Sequence, residues 1–320
     1  MDHALIGEAV NIPINDSVPV ISISPVIVPA PGRIVDLQIR VSAPATGDNL
    51  PIILLSHGHG LSNHLSSLNG YSPLINFWAA HGFVVIQPTH LSSKSLSLKA
   101  PPGQSLFWRS RAEDMKHIID QLDHIEASFP NLKGRLDKTR IAVAGHSMGG
   151  NTASLLLGQT LVDPEDGTVV NLTEPRIKAG VLLTPPGNGG ADLSAFAFEN
   201  YTFFRHPNFA EMKTPALVVI GDNDSLLHLN VRGADWHADP YSLSPGPKSL
   251  LTLFGATHGL GGISGYDVAE TTDESPERVA VVQRLTWAYL RSELYPEDPA
   301  WSNACAALEK LKTVGQVESK

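Results

Sequence analysis

The hydrophobic and polar positions of this chain follow two patterns that are typical of strands. Between residues 34 and 41 every second residue is apolar, which predicts a half-exposed strand at an antiparallel edge of a sheet. Later apolar segments lose this alternation, which is typical of parallel strands buried on both faces. These continuous runs cover residues 52–55, 83–86, 141–144, 180–183, 216–220 and 250–254.

Helical patterns fill the gaps between these runs. Apolar residues recur at the spacing of a single helix face at Met115, Ile118, Ile119, Leu122 and Ile125. A later helix is predicted to begin after Ser275 as N-cap, with Pro276 at its first position, and to end near Leu294. Strands that alternate with helices predict an α/β fold: a mostly parallel, doubly wound sheet with helices on both faces.

The organisation of the chain favours one domain over residues 1–320, because the sequence contains no internal repeat and no low-complexity linker. We expect a core over about residues 34–294, an N-terminal extension over 1–33, and a C-terminal tail over 295–320 with an appended helix. Segment 186–213 is rich in glycine and then in aromatic residues, and is interpreted as an excursion above the sheet.

The composition excludes some classes of protein but does not identify an activity. The net charge of −9 argues against a positively charged surface that would bind nucleic acid. Cys305 is the only cysteine, so no disulfide can form within the chain. The first residues lack a positively charged segment and prolines interrupt the apolar stretch 18–31, so we predict no signal peptide, no stable membrane insertion and a cytoplasmic protein. The oligomeric state stays open.

The most informative motif is Gly-His-Ser-Met-Gly at residues 145–149, between a buried strand and a predicted helix over 151–158. A serine in this position, with glycines two residues before and after it, matches the nucleophile elbow. The turn is so tight that a side chain at either glycine would clash, and it holds the serine in a strained conformation. A chance match is the alternative, but the flanking strand and helix favour Ser147 as a nucleophile.

A serine hydroxyl is a weak nucleophile, so it needs a base and an acid that orients the base. His258 follows the run 250–254 directly and is the predicted base. Asp222 and Asp224 both follow the run 216–220 and compete for the role of the acid. The chain order of serine, acid and histidine is the order found in one family of triad enzymes.

These motifs resemble the α/β-hydrolase superfamily over about residues 34–294. The resemblance implies an α/β-hydrolase fold with a small or absent lid. It assigns the acid to Asp224, three residues after the glycine of its turn, and leaves Asp222 to brace the turn. The segment Ser-His-Gly-His-Gly at 56–60 resembles the oxyanion loop of lipases and esterases, which implies that the backbone N–H groups of His59 and Met148 form the oxyanion hole.

Within the superfamily, the oxyanion loop and the sequence Gly-His-Ser-Met-Gly-Gly resemble a branch of carboxylic ester hydrolases that need no cofactor. The branch contains chlorophyllases, platelet-activating-factor acetylhydrolases, dienelactone hydrolases and cutinase-like polyester hydrolases. The chain departs from each pattern somewhere. Chlorophyllase-type enzymes are expected to carry a basic residue at Met148, dienelactone hydrolases use a cysteine nucleophile, and secreted polyester hydrolases usually carry a signal and a disulfide.

The predicted function is therefore serine-dependent hydrolysis of a small-molecule or lipid-like carboxylic ester through an acyl-enzyme. An amidase or peptidase, an acyltransferase or C–C hydrolase, and a non-catalytic ligand-binding relative are the alternatives. A metal site is not expected, because glycines and the preceding strand explain the segment with His57, His59 and His64. The other candidates lack metal-ligand spacing and are interpreted as loop residues: His228, His237 and Asp239. Five aromatic residues could line an acyl or alcohol pocket, but core is the favoured interpretation for each of them: Phe107, Trp108, Phe203, Phe204 and Trp236.

Overall fold

A computed structural model describes residues 4–320 of the chain. These residues form two sheets. Their strands are β1 (Val20–Val28), β2 (Leu37–Pro44), β3 (Leu50–Ser56), β4 (Val84–Pro88), β5 (Leu136–His146), β6 (Thr160–Val162), β7 (Val169–Asn171), β8 (Ile177–Leu183), β9 (Pro207–Asn208), β10 (Ala216–Gly221), β11 (Lys248–Leu253) and β12 (Gly315–Ser319).

The helices lie between these strands. The α-helices are α1 (Ser72–Ala80), α2 (Trp108–Asp120), α3 (Leu122–Ala127), α4 (Met148–Leu157), α5 (Ala195–Asn200), α6 (Asp239–Ser242), α7 (Pro276–Leu294) and α8 (Ala300–Leu308). Shorter 3₁₀ helices cover Ala4–Asn11, Lys94–Leu96, Ser105–Phe107, Gly190–Asp192, Thr202–Phe204 and Ala234–Ala238.

The main sheet has nine strands in the order β1-β2-β4-β3-β5-β8-β10-β11-β12. The six inner strands pair in parallel: β4, β3, β5, β8, β10 and β11. The outer strands β1, β2 and β12 pair antiparallel with their neighbours. Apolar residues of α1, α7 and α8 cover one face, and those of α2, α3 and α4 cover the other. This mostly parallel sheet with helices on both faces is the α/β-hydrolase fold that the sequence predicted.

The continuous apolar runs are confirmed as strands β3, β4, β5, β8, β10 and β11. The alternating segment is confirmed as the antiparallel strand β2, but it is not at the edge. β1 pairs with the outer side of β2 and forms the edge. It lies in the segment 1–33 that the sequence analysis assigned to an N-terminal extension. Pro25 interrupts the register there, between Ile23 and Val26, and an edge strand tolerates a proline because its missing N–H faces away from the sheet.

The C-terminal tail also belongs to the main sheet. The expected appended helix is α8, but the chain then returns as β12 to pair with β11, so that Ser249 faces Ser319. The sequence analysis did not predict this strand, nor the small sheet of β7, β6 and β9. Residues 316–319 are mostly polar and exposed, so they carry no apolar pattern that would indicate a strand.

Two helix predictions differ in detail from the structure, and a third is confirmed. The helix predicted over 151–158 is α4, which begins three residues earlier, at Met148, and ends at Leu157. The single apolar face over 115–125 belongs to two consecutive helices, α2 and α3, which meet at Gln121. The start of α7 is confirmed, since the Ser275 hydroxyl accepts a hydrogen bond from the N–H of Arg278. None of the helices in residues 4–320 is both long enough and apolar enough to cross a membrane.

The excursion over 186–213 contains α5 and two 3₁₀ helices, and it packs on the main body through a third apolar cluster. The aromatic residues interpreted as core are all buried, and four of them belong to this cluster: Trp108, Phe203, Phe204 and Trp236. The cluster also includes Met148, at the start of α4. The excursion is therefore anchored beside the residue that follows Ser147.

Candidate active site

Ser147 lies in a strained turn between β5 and α4, with φ of 55° and ψ of −118°. A Cβ atom at Gly145 would lie 2.0 Å from the carbonyl oxygen of Gly149, and one at Gly149 would lie 2.0 Å from the carbonyl oxygen of Ser56. Both contacts are with backbone, which cannot move aside as a flexible side chain could. The two glycines therefore have the steric role that the motif predicted.

Met148 is the first residue of α4, directly after Ser147. The first N–H groups of an α-helix have no carbonyl partner within the helix, and the helix dipole places partial positive charge there. The N–H of Met148 is therefore available to stabilise negative charge beside the Ser147 hydroxyl.

His258 and Asp224 follow adjacent parallel strands, β11 and β10, and their side chains meet beyond the carboxyl ends of those strands. Nδ1 of His258 lies 2.7 Å from Oδ2 of Asp224. Asp222 instead accepts a hydrogen bond from the N–H of Gly255 at 2.6 Å. Of the two acids that the sequence left in competition, Asp224 contacts the histidine and Asp222 braces the neighbouring turn.

The carboxylate of Asp224 is almost completely buried, with 1% of the residue exposed. Burial by itself would raise its pKa, but the charge and the hydrogen bond of His258, together with the nearby His237, hold the pKa below its usual range. Asp224 is thus ionised at neutral pH. An ionised carboxylate only accepts hydrogen bonds, so Nδ1 of His258 carries a proton and Nε2 is left to exchange protons with other groups.

His237 contacts the same carboxylate, which the sequence analysis did not predict. It lies buried in the 3₁₀ helix Ala234–Ala238, so its interpretation as a loop residue is corrected. Its Nε2 is 3.1 Å from Oδ2 of Asp224, and its Nδ1 is 2.7 Å from the carbonyl oxygen of Pro185. No spacing in the sequence pointed to this contact. Of the other two residues in that group, His228 lines the cavity described below. Asp239 is the first residue of α6, so its interpretation as a loop residue is also corrected, and it binds Arg232.

Asp224, His237 and His258 are also the one group of ligand-type side chains in residues 4–320 whose ligand atoms converge. Both histidine nitrogens face the same oxygen of Asp224, at distances typical of hydrogen bonds. A hydrogen bond joins Nδ1 of His258 to Asp224, whereas Nε2 of His237 has no hydrogen-bond partner among the described residues. The segment that contains His57, His59 and His64 forms no such group within the described chain.

The predicted oxyanion loop follows β3 and is tied to the segment after His258. Glu270 accepts hydrogen bonds from the N–H and the hydroxyl of Ser62, at 2.8 and 2.6 Å. A Cβ atom at Gly60 would lie 2.4 Å from a carboxylate oxygen of Glu270, so this glycine permits the close approach. The carboxylate thereby joins the loop before α1 to the loop that carries the candidate base.

Beneath the loop lies a buried arginine that the sequence analysis missed. Arg111 of α2 donates to the carbonyl oxygen of His57 and to the hydroxyls of Ser56 and Thr152. Burial lowers its pKa to about 9, so it stays charged at neutral pH. A signal was present, because Arg111 falls on the apolar face of the predicted helix, four residues before Met115. A charge at such a position indicates a buried polar partner.

A cavity of about 610 Å³ joins these elements. Ser147, Asp224 and His258 all contribute to its walls, together with His59 and Met148. Most of the remaining wall is apolar and comes from the excursion, from the turn after β10 and from the segment before α2: Leu106, Phe196, Tyr201, Phe204, Leu226 and Leu229. The structure therefore brings all five predicted site residues to one cavity with largely apolar walls.

Comparisons with known proteins agree with this architecture. The chlorophyllase family model matches residues 23–170. Chlorophyllase-2 of Arabidopsis thaliana is 26% identical over 288 residues, which cover 82% of this chain and 79% of that protein. Cutinase 1 of Thermobifida cellulosilytica is 26% identical over 181 residues, 56% of this chain and 51% of the cutinase. The chain thus spans about half the length of that cutinase. Platelet-activating factor acetylhydrolase of Cavia porcellus is 25% identical over 175 residues, 44% of this chain and 36% of that protein.

Proposed function

We propose that this chain, which belongs to the α/β-hydrolase superfamily and is related to its esterases, hydrolyses carboxylic esters through a covalent acyl-enzyme. The observation that carries the proposal is the 2.7 Å contact between His258 and Asp224 at a cavity that Ser147 also lines. The strained backbone of Ser147, between glycines that cannot be replaced without a clash, supports the same assignment. The related cutinase and chlorophyllase are ester hydrolases, which supports the reaction class.

In this mechanism, Nε2 of His258 removes the proton of the Ser147 hydroxyl as its oxygen attacks the ester carbonyl. Asp224 keeps His258 in the tautomer with Nδ1 protonated and stabilises the imidazolium that forms. The N–H groups of His59 and Met148 donate to the oxyanion. His258 then protonates the leaving alcohol, and a water molecule activated by the same nitrogen cleaves the acyl-enzyme.

The walls of the cavity support a proposal for the substrate class. Aromatic and aliphatic side chains from the excursion and the turn after β10 favour an ester with an apolar acyl or alcohol group. A volume of about 610 Å³ is large enough for a group well beyond acetyl. We therefore propose a lipid-like or other apolar small-molecule ester as the substrate.

The test compares Ser147→Ala with Ser154→Ala. The control removes a buried hydroxyl, which has no hydrogen-bond partner, from α4, the helix that follows Ser147. On p-nitrophenyl esters of graded chain length, Ser147→Ala is expected to lose on the order of 10⁴ to 10⁶ in kcat. Ser154→Ala should retain the wild-type rate. A fluorophosphonate should label the wild type and Ser154→Ala at Ser147, and leave Ser147→Ala unlabelled.

Two further measurements test the amidase and acyltransferase alternatives: cleavage of anilides with the same acyl groups as the esters, and acyl transfer to an added alcohol. Cleavage of anilides as fast as of esters would indicate an amidase, and transfer to the alcohol in preference to water would indicate an acyltransferase. A folded Ser147→Ala variant with wild-type ester activity would contradict the proposal altogether.

A further inference from the structure

Tyr71 is a buried tyrosine whose hydroxyl lies between two loops of the candidate site. The residue is 0% exposed and directly precedes α1. Its Oη atom is 2.9 Å from the backbone nitrogen of Gly58 and 2.7 Å from Nδ1 of His146. Gly58 precedes His59 in the oxyanion loop, and His146 precedes Ser147 in the elbow. Neither Gly58 nor His146 is one of the five residues that the proposed mechanism uses.

The third loop joins the same network through the opposite side of His146. Nε2 of His146 lies 2.9 Å from the carbonyl oxygen of His258. A carbonyl oxygen only accepts, so Nε2 must carry a proton. Burial, together with the nearby charge of His258, lowers the pKa of His146 to about 3, so the ring is neutral at pH 7 and its Nδ1 is an acceptor.

These constraints leave one arrangement of protons. Tyr71 must donate its hydroxyl proton to Nδ1 of His146, and its oxygen must accept the proton of the Gly58 N–H. Every donor in this buried network then has an acceptor. A Cβ atom at Gly58 would lie 2.9 Å from the Tyr71 oxygen, so a side chain there would push the tyrosine away.

These contacts also fix the direction in which the N–H of His59 points. The peptide that joins His57 to Gly58 is held at both polar atoms, by Arg111 at its carbonyl and by Tyr71 at its N–H. The next peptide is held at its carbonyl, because Nδ1 of His57 donates to the oxygen of Gly58 at 2.7 Å. In a trans peptide the N–H points away from the C=O, so a fixed carbonyl also fixes the N–H of His59.

We infer that Tyr71 is a positioning residue for the reaction: its hydroxyl sets the oxyanion loop, the nucleophile elbow and the loop of the base in register with one another. The inference rests on the proposed function, because it concerns donors that act on an oxyanion. Donors fixed before the reaction begins cost no reorganisation when the negative charge develops. Misplacement of such a site by about 1 Å is enough to cost about 100-fold in rate.

The experiment compares Tyr71→Phe with Tyr289→Phe. Tyr289, in α7, is also buried, at 1% exposure, and its hydroxyl has no hydrogen-bond partner. Its variant therefore loses the same atom but breaks no hydrogen bond. Tyr71→Phe is expected to lower kcat on an ester by about 10- to 100-fold and to leave KM within about threefold, because the loss falls on the transition state. Tyr289→Phe should keep both constants.

A second readout separates positioning from general loosening of the fold. A boronic acid forms a tetrahedral adduct with the serine and needs the same donors, so its Kd for Tyr71→Phe should rise by the factor that kcat loses. The Kd of an ether analogue of the ester, which forms no oxyanion, should not change. An equal rise for both ligands, or a wild-type kcat in Tyr71→Phe, would overturn the inference.

Two further variants keep the inference testable if Tyr71→Phe does not fold. His146→Gln retains both a donor and an acceptor, whereas His146→Leu retains neither, so the glutamine variant should keep at least about tenfold more of the wild-type kcat. Equal kcat values would overturn the inference. Failure of the proposed function looks different: the wild type itself would then cleave no ester, and the fluorophosphonate would not label Ser147.

Discussion

The carboxylate of Asp224 lies 2.7 Å from Nδ1 of His258, whereas Asp222, two residues earlier in the same turn, binds the backbone N–H of Gly255. Both acids follow β10 within three residues, but only Asp224 contacts the histidine. Their different partners lead to different expectations for substitution by asparagine.

Asp224→Asn is expected to lower kcat by about 10³- to 10⁴-fold, because an amide no longer holds His258 in the tautomer with a free Nε2. Asp222→Asn should leave kcat nearly unchanged, and any loss should appear as lower thermal stability of the turn. Matched kinetics and melting curves of the two variants check this. The reverse ranking in kcat would transfer the role of the acid to Asp222.

Gly149→Ala should damage both stability and activity. The added methyl would lie 2.0 Å from the backbone oxygen of Ser56, so the elbow must shift. We expect a loss of about 1–3 kcal/mol in the free energy of unfolding, typical of overpacking, together with a large drop in kcat. The control is Gly134→Ala, whose methyl meets no atom within 4 Å and adds only backbone strain of about 1–2 kcal/mol. Ester kinetics distinguish the two, because Gly134→Ala should keep the wild-type kcat, and a Gly149→Ala variant with wild-type kcat would contradict the clash.

His146 should make the protein less stable as the pH falls. Burial lowers its pKa from 6.5 to about 3, so between these values the unfolded chain binds a proton that the folded chain does not. Stability from this group is therefore complete above pH 6.5 and falls by about 1.4 kcal/mol for each pH unit below it.

Removing that group should flatten the pH dependence of stability. In urea unfolding between pH 6.5 and 4.5, His146→Gln should have a slope that is smaller than the wild-type slope by about 1.4 kcal/mol per pH unit. Tyr289→Phe, which changes no group that titrates in this range, should run parallel to the wild type. Parallel curves for His146→Gln as well would show that the buried ring is not held neutral.

The side chain of His59 should have no chemical part in the reaction, since the residue is proposed to act through its backbone N–H. Its Nδ1 has no hydrogen-bond partner, and burial lowers its pKa to about 4. His59→Leu should retain most of the activity, whereas His258→Ala should lose on the order of 10⁴- to 10⁶-fold.

Chelation gives an independent check of the same point. EDTA should change neither the rate nor its pH dependence, because the proposed reaction uses Ser147, His258 and Asp224 and needs no metal. A rate that falls in EDTA and returns with Zn²⁺ would favour a metal-dependent reaction instead.

The apolar wall of the cavity should set the preferred chain length. Leu229→Trp adds bulk to that wall and is expected to lower kcat/KM for long acyl chains more than for acetyl esters. Leu243→Trp is the control, because Leu243 is 49% exposed and does not contribute to the cavity wall. An equal effect of Leu229→Trp on short and long esters would mean that the apolar group binds elsewhere.

The sequence by itself determined the parts of this protein that depend on local chemistry. Continuous apolar runs predicted the buried parallel strands, because only a strand covered on both faces excludes polar residues on both sides. The glycines around Ser147 predicted the elbow, since the clash that they avoid lies within a few residues. Ser275 and Pro276 predicted the start of α7 for the same local reason. The single domain and the cytoplasmic location remain predictions.

Only the tertiary structure decided the contacts between residues that are far apart in the chain. The apolar patterns did not indicate β1 and β12, because an edge strand is half-exposed and acquires its conformation from its partner. Local spacing likewise gives no sign that Tyr71 would reach His146, 75 residues later, or that His237 would face Asp224. A buried polar atom is satisfied by whichever partner the folded backbone brings within about 3 Å, and periodicity holds no information about that partner.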